Sequence, residues 1–380
     1  MHRFLTGGES HGPALTVIIE GIPAGLPLPE EAINADLVRR QGGYGRGGRM
    51  RIEKDAVEVT GGLHDGVTTG GPLVFRIANR DYANQQKRAQ PRITAPRPGH
   101  ADLVGATKYA LPDMRIALER SSARETAARV AAGAVARVLL AQFGIQVGSY
   151  VESVGDAQAT IPDTDYAALQ EAAEASEMRC PDPAATEAMK ARVDHARRTG
   201  NTLGGIFTVW ATGVPVGLGS YVHYDRRLDG QLAGAMMSIQ AIKGVEIGSA
   251  FANALREGRD VHDQIYAGPA GPERHTNRSG GLEGGVTTGE PLLVRAAMKP
   301  ISTTINPLTT VDMATGQETP TTYQRSDFCA VPAAAVVGEA MVAWVLAEAL
   351  HAKLGGDSLA EMLARWPLPR VPHFDALPAE

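Results

Sequence analysis

The sequence predicts an α+β fold made of two echoing halves around a helical centre, on three observations. Gly61–Arg76 matches Gly280–Arg295 at a constant offset of 219, with eleven of 16 positions identical. Gly8, Gly12, Thr16, Val17, Gly21, Pro23, Gly25 and Leu26 recur as Gly200, Gly204, Thr208, Val209, Gly213, Pro215, Gly217 and Leu218, at an offset of 192. Arg120-Ser121 recurs as Arg325-Ser326 at 205, each pair opening an Ala/Val-rich stretch that carries Gly133 or Gly338. The three pairs keep their order, the mark of an internal duplication. The expected organisation is one domain over 1–380, with repeats at about 1–150 and 196–352 joined by an Ala/Glu-rich segment.

Each element has a local reason. Leu15-Thr16-Val17-Ile18-Ile19 is an apolar run behind the Gly-flanked turn Gly8-Glu9-Ser10-His11-Gly12-Pro13-Ala14, and reads as a strand. A helix starts at Pro29 with Glu30 and Glu31 in its first turn; Arg39 and Arg40 close it, and Gly42-Gly43 stop it. The duplicated segments read as turn and strand. Asp102 to Leu111 reads as a helix behind Pro98-Gly99. Ser122 and Glu125 stand at capping-box spacing before a helix that ends at Gly144. Its interior, Ala127 to Ala134, is small on nearly every side, which predicts close burial. The counterpart, Ala333 to Leu354, starts behind Pro332. Two buried helices, each with strands from its own half, predict a helical centre covered by sheets.

Composition bounds the function. The chain has 380 residues, 43% hydrophobic and 21% charged, as expected of a globular enzyme. No apolar stretch is read as reaching the 18 residues of a membrane span, and the N-terminus lacks a signal peptide's apolar run. Cys180 and Cys329 make neither a disulfide framework nor a metal cluster, and no His/Cys spacing supports a metal site. A reduced, cytoplasmic compartment is expected. Residues 1–150 hold 19 Lys/Arg against 14 Asp/Glu, leaving 18 against 28 for the remainder. The basic excess gathers in Gly- and Pro-rich loops, which points to a small anionic ligand rather than a polyanion or a membrane.

Several segments have the residues for such a ligand. Ser10 and His11 sit on a turn that a strand anchors, where a hydroxyl and an imidazole reach a ligand. Arg39 to Arg51 contains Arg40, Arg46 and Arg49 among glycines; guanidinium forks match phosphate and carboxylate oxygens, and glycine admits close backbone approach. The same run has an RNA-binding alternative, disfavoured by its place behind a capped helix in an acidic chain. His100 precedes a helix N-terminus, which favours a neutral imidazole that hydrogen-bonds or accepts a proton. Arg120-Ser121-Ser122-Ala123-Arg124 pairs cations with a helix start, an anion site by geometry and charge. Asp327, between an arginine and an apolar helix, reads as a salt-bridged cap or a general base. Lys299-Pro300-Ile301-Ser302-Thr303 is a hydroxyl-rich turn suited to a phosphate tail. No Gly-x-Gly-x-x-Gly after a strand, Gly-Lys-Ser/Thr loop or Gly-x-Ser-x-Gly is present, so the reaction does not follow from the residues alone.

Taken together, Gly8-Glu9-Ser10-His11-Gly12, Arg97-Pro98-Gly99-His100-Ala101-Asp102, Arg120 to Thr126, Gln240-Ala241-Ile242-Lys243-Gly244 and Arg325-Ser326-Asp327 resemble the chorismate synthase family, in order over nearly the whole chain. Phe328 stands where relatives often have proline, in a slot that packs rather than reacts. The resemblance implies a lyase of the shikimate pathway to aromatic amino acids. It would convert 5-enolpyruvylshikimate 3-phosphate to chorismate and phosphate by 1,4-anti elimination with reduced FMN, which lends electron density transiently. It implies a β/α/α/β layered sandwich with antiparallel sheets around the helices, and a homotetramer. By motif, His11 would be the acid toward the leaving phosphate. His100 would sit near the flavin, and Asp327 would act with flavin N5 as base for the C6 hydrogen. Flavin contacts would fall on Arg120, Ser121, Ser122, Gln240, Ala241, Gly284, Lys299, Pro300, Ile301, Ser302, Thr303 and Arg325. Arg40 and Arg46 match positions tied to NADPH or to anionic substrate groups, with Ser10, Arg49 and Arg124 as further substrate contacts. The resemblance also implies NADPH as the reductant of the flavin in some members of the family.

Overall fold

The computed structural model describes residues 2–47, 52–87, 91–162, 164–269, 271–323 and 326–368. The chain is α+β. One sheet takes β1 (Arg3–Gly7), β2 (Ala14–Glu20), β3 (Val57–Gly61) and β4 (Leu73–Ala78) in the order β1-β2-β4-β3, all antiparallel. Alternation sets its faces: Leu15, Val17, Ile19, Leu73, Phe75 and Ile77 are buried, while Thr16, Ile18, Glu20 and Arg76 are exposed. A second antiparallel sheet takes β5 (Gln146–Val154), β6 (Ala157–Gln158), β7 (Gly205–Thr212), β8 (Ile242–Ile247) and β9 (Leu292–Met298) in the order β8-β9-β7-β5-β6.

The two sheets share one plan. With the short β6 set aside, β5, β7, β9 and β8 occupy the places of β1, β2, β4 and β3. Register repeats as well: Thr16 faces Arg76 as Thr208 faces Arg295, and Val17 faces Phe75 as Val209 faces Val294. The duplicated hairpins are tied down alike. Thr68 Oγ1 donates to the Pro23 carbonyl at 2.6 Å and accepts from Leu26 N–H at 2.9 Å. Thr287 Oγ1 donates to Pro215 at 2.6 Å and accepts from Leu218 at 2.8 Å. β5 stands where β1 does, and the Ala/Glu-rich segment lies between β5 and β7. The first-half counterpart is a five-residue edge strand and the second a nine-residue interior strand, so the pair leaves no sequence echo.

Helices pack on the sheets and on one another. α1 (Glu30–Gln41) buries Ile33 and Leu37, four residues apart. α2 (Asp102–Tyr109) and α3 (Met114–Ser121) pack on each other, α3 being capped by the Asp113 side chain. α4 (Thr126–Ala141) lies on β1 and β2. α5 (Tyr166–Ala175) and α6 (Pro183–Arg198) flank β5, and α7 (Leu228–Met237) runs beside β8. α8 (Val331–Leu354) packs against α4, α7, β5 and β7.

Two local readings need correction. Val331–Leu354 is long and apolar enough to cross a membrane by length and composition, yet 89% of its most apolar window is buried inside the chain, so it is a core helix. Ser122 caps a short 3₁₀ turn, Ala123–Glu125, rather than joining Glu125 in a capping box. The Glu125 carboxylate is drawn elsewhere, to Thr6, Arg129 and Gln240.

α4 and α8 approach most closely at Gly133. A Cβ there would meet Ala340 Cβ at 2.3 Å and Ala340 Cα at 2.4 Å. Both obstacles belong to a helix, so the helices themselves must separate. Gly133→Ala is expected to destabilise by about 1–3 kcal/mol through overpacking, despite alanine's better helix propensity. A urea midpoint at or above that of the parent protein would contradict this packing.

Candidate active site

Strand ends and helix starts bring the site residues together. Gly8 turns the chain into β2 at φ 103°, where a Cβ would meet the Ala14 carbonyl oxygen at 2.4 Å, so only glycine fits. The turn that follows is held from α3. Glu119 Oε1 lies 2.7 Å from His11 Nδ1; Oε2 accepts from His11 N–H at 2.7 Å and from the Ser10 hydroxyl at 2.6 Å. Asn79 Nδ2 donates to the Glu9 and Gly12 carbonyls, fixing the same turn from the end of β4.

Behind the turn is a buried charge cluster. Arg124 donates through Nε to Asn79 Oδ1 at 2.8 Å and through Nη1 to both Asp55 oxygens at 2.7 and 2.6 Å. Arg40 shares Asp55 at 3.4 Å and donates to Thr126 Oγ1 and the Ala123 carbonyl. Burial pulls the Arg40 guanidinium below its usual value; Asp55 opposes this, and neighbouring Arg124 and Arg46 add to it. Arg40 therefore feels Arg46 and Asp327 as well. Arg46 pairs with Asp327 at 2.6 Å, and Gly47 N–H donates to the same carboxylate at 2.5 Å. A Cβ at Gly47 would meet Ser326 O at 2.9 Å, so glycine lets this loop close on Asp327.

His100 anchors the other side. Its Nδ1 lies 2.5 Å from Asp102 Oδ1, a distance two bare acceptors cannot hold, so a proton stands between them. Arg97 grips Asp102 through Nε at 2.8 Å and Nη2 at 3.0 Å, and reaches Thr303 Oγ1 at 3.0 Å. Burial raises the Asp102 carboxyl, but the bonds from His100 and Arg97 outweigh it and hold the group well below the usual carboxylate range. The Gly99 carbonyl accepts from Lys299 Nζ and from Ser302 Oγ at 2.8 Å. Lys299 N–H donates to the Ala241 carbonyl, Gln240 Nε2 donates to Glu125, and Glu125 accepts from Thr6. Arg120 Nη2 donates to the Thr6 carbonyl and hydroxyl, next in sequence to Glu119. Hydrogen bonds and adjacent residues thus connect His100, Lys299, Gln240 and Arg120 to the segment that holds His11.

Other expected contacts differ in state. Ser10 is buried with its hydroxyl donated to Glu119. Arg40 and Arg124 are buried in ion pairs rather than arrayed on an open loop, because Asp55 and Glu53 come in from the following segment. Arg46 pairs with Asp327 and Arg39 with Glu339, so each described arginine of this run has an internal ion partner. Ser121 donates to the Leu118 carbonyl, and Ile301 accepts from Thr202 beside Pro300. Gly284 turns the hairpin Leu282–Thr287 beside Tyr221. Arg49 and Arg325 lie outside the described residues. Sequence reasoning assigned no role to Glu119, Asn79 or Asp55. Glu119 alone had a usable signal, its place directly before the Arg120–Thr126 motif.

Among the described residues, two buried polar atoms here make no hydrogen bond: Arg124 Nη2, a donor 4.0 Å from Glu53 Oε2, and Gln240 Oε1, an acceptor. They fit a ligand with anionic oxygens and ring N–H groups, as phosphate, carboxylate and flavin chemistry supply. A separate cavity of about 600 Å³, lined by Ala134, Val138, Ile145, Trp210, Asp36 and Arg137, offers less. Its arginine and aspartate already pair at 2.6 Å.

A family model described as "Chorismate synthase" matches residues 2–351. A chorismate synthase of Desulforamulus reducens is 54% identical over 376 residues, covering 96% of this chain and 97% of the relative. One from Chlorobaculum tepidum is 52% identical, covering 96% of each. A solved crystal structure of a chorismate synthase aligns with a TM-score of 0.79 and 46% identity, covering 96% of both chains.

Proposed function

The chain belongs to the chorismate synthase family of lyases, and from that premise we propose that it eliminates phosphate from 5-enolpyruvylshikimate 3-phosphate to give chorismate with reduced FMN bound. One observation carries the site reading: the hydrogen-bonded run from Glu119 and His11 through Asn79 and Arg124 to Asp55 and Arg40. It combines a proton source with buried guanidiniums, as a phosphate leaving group requires.

In the elimination the carbon–oxygen bond to phosphate and the C6–H bond break, a carbon–carbon double bond forms, and one proton passes to the protein. His11, fixed through Nδ1, presents Nε2 as proton donor or hydrogen-bond donor to the departing phosphate. Arg40 and Arg124 match its charge. Asp327 receives the C6 proton; an anionic substrate group that draws Arg46 off the carboxylate would free it for that task. Gln240, Ala241, Arg120, Ser121, Ser122, Gly284 and Lys299 to Thr303 would hold the flavin, with Arg325 completing the set. Reduced FMN, when bound, supplies electron density that helps phosphate leave and recovers it by the end of turnover. His100, locked by Asp102, would present Nε2 beside that ring.

Further parts of the proposal follow the family. The packing of α4 and α8 between the sheets is read as a duplicated β/α/α/β layered sandwich in one domain. The assembly is taken as a homotetramer; Tyr221, Tyr224, Phe251 and Leu255 are left exposed in a single copy, which favours burial against others. The compartment is taken as cytoplasm, with Cys180 and Cys329 both free and buried. Anaerobic phosphate release from the enolpyruvyl substrate tests the reading, with FMN fixed and NADPH present or absent. Release is expected only where the flavin is reduced, and a response to NADPH alone would assign the chain its own flavin reduction. Full turnover with oxidised flavin and no reductant would sink the mechanism.

A further inference from the structure

We propose that Glu119 is a positioning residue for the reaction, fixing the tautomer and aim of His11 and compensating the charge His11 carries; this rests on the functional reading above. Glu119 stands near the C-terminus of α3 and is 9% exposed. It makes four bonds to two adjacent residues: Oε1 with His11 Nδ1, Oε2 with His11 N–H and the Ser10 hydroxyl, and its own carbonyl with Ser10 N–H at 3.2 Å. A carboxylate only accepts, so Nδ1 must carry the proton, and Nε2 becomes the nitrogen left for a ligand. The Ser10 hydroxyl lies 3.1 Å from His11 Nδ1, but its proton goes to Glu119. Ser10 is therefore a strut for the turn and not a nucleophile.

The two histidines differ in electrical balance. Asp102, behind His100, is already matched by the two-pronged Arg97. Among the described residues, Glu119 has no guanidinium or ammonium partner; its hydrogen-bond partners are Ser10 and His11. A proton held on His11 Nε2 gives the ring the positive charge that the Glu119 carboxylate lacks a match for. The structure thus divides the labour: a histidine backed by an unmatched carboxylate for proton delivery, and one backed by a matched carboxylate for neutral contact.

The test combines Glu119→Gln, Glu119→Asp and His11→Ala with the double variant Glu119→Gln/His11→Ala, in anaerobic phosphate release with reduced FMN. Glu119→Gln is expected to lower kcat by about ten- to a hundredfold with KM and flavin affinity unchanged, and Glu119→Asp to recover part of the loss. In the His11→Ala background the Glu119 change should cost nothing more, since its effect passes through that ring. Equal losses in both backgrounds, or a loss confined to flavin affinity, would overturn the proposal. A readout independent of turnover is ¹⁵N NMR of histidine-labelled wild-type protein, with His11 assigned by its absence in His11→Ala. Protonation at Nδ1 is expected; a neutral ring protonated at Nε2 alone defeats the proposal whatever the activity. If wild-type protein releases no phosphate but shows Nδ1–H, the functional reading fails while the positioning geometry stands.

Discussion

Replacing His11 with alanine is expected to lower turnover by about 10²–10⁴ while reduced-FMN affinity stays nearly constant. The effect is large because the imidazole is built into its place. Nδ1 is tied to Glu119, while the side chain remains one-third exposed, so the ring has an edge open to a ligand. Removing it leaves Arg40, Arg124 and Asp55 in their ion pairs, so phosphate binding should persist and KM should change less than kcat. The measurement is kcat and KM for phosphate release beside a flavin fluorescence titration. Loss of flavin binding with kcat retained would show that His11 holds the cofactor instead.

Replacing Glu339 with alanine is expected to destabilise the fold by about 3–5 kcal/mol. This carboxylate lies in the middle of α8, 1% exposed, and accepts from Arg39 at 2.8 Å, Arg179 at 3.0 Å and Ser149 at 2.6 Å, with Arg137 at 3.4 Å. Asp36 and Glu174 balance the remaining charge of the three arginines. Without Glu339 an excess of positive charge from Arg39 on α1, Arg137 on α4 and Arg179 after α5 is left facing α8. Burial alone would raise this carboxyl; Arg39, Arg179 and Arg137 overcome that and hold it at about 2, below the usual 4.5. A carboxyl depressed on folding adds stability that is complete above its unfolded value. That increment should fade as pH falls from 4.5 through about 2. Urea unfolding of Glu339→Ala and Glu339→Gln checks both points. The glutamine variant should lose less than alanine, and its stability deficit should shrink in acid; an unchanged midpoint at neutral pH would remove the cluster from the account of stability.

Much of the fold was legible because it is encoded locally. Alternation in Leu15–Ile19, the punctuation of α1, and Pro332 before α8 each specify an element from a few neighbouring residues. The duplicated hairpin was legible because its threonine is bound to a fixed backbone shape, and that shape needs the same Gly and Pro pattern twice. The site was legible only in part. His11, His100 and Asp327 stand in distinctive motifs, but their partners are remote. Glu119 meets His11 across 108 residues and Arg124 meets Asp55 across 69. No local spacing records such meetings. Glu125 shows the converse error: its capping-box spacing was sound, yet Thr6 and Gln240 claimed the carboxylate from afar. The ion pair of the Gly-rich arginine loop was hidden for the same reason, since Asp327 lies 281 positions beyond Arg46.

The shared plan of the two sheets bears on how an acid and a base came to serve one ring. At the offset that relates Arg120-Ser121 to Arg325-Ser326, Ser122 corresponds to Asp327; at the offset of the glycine echoes, His11 corresponds to Leu203. The proposed proton donor thus has a leucine as its twin, and the proposed acceptor has a serine. A pair of identical halves related by a twofold axis would have to show the same group to both faces of a bound molecule. A single covalent chain is released from that symmetry, and the proposed anti elimination, which gives on one side and takes on the other, would need that release.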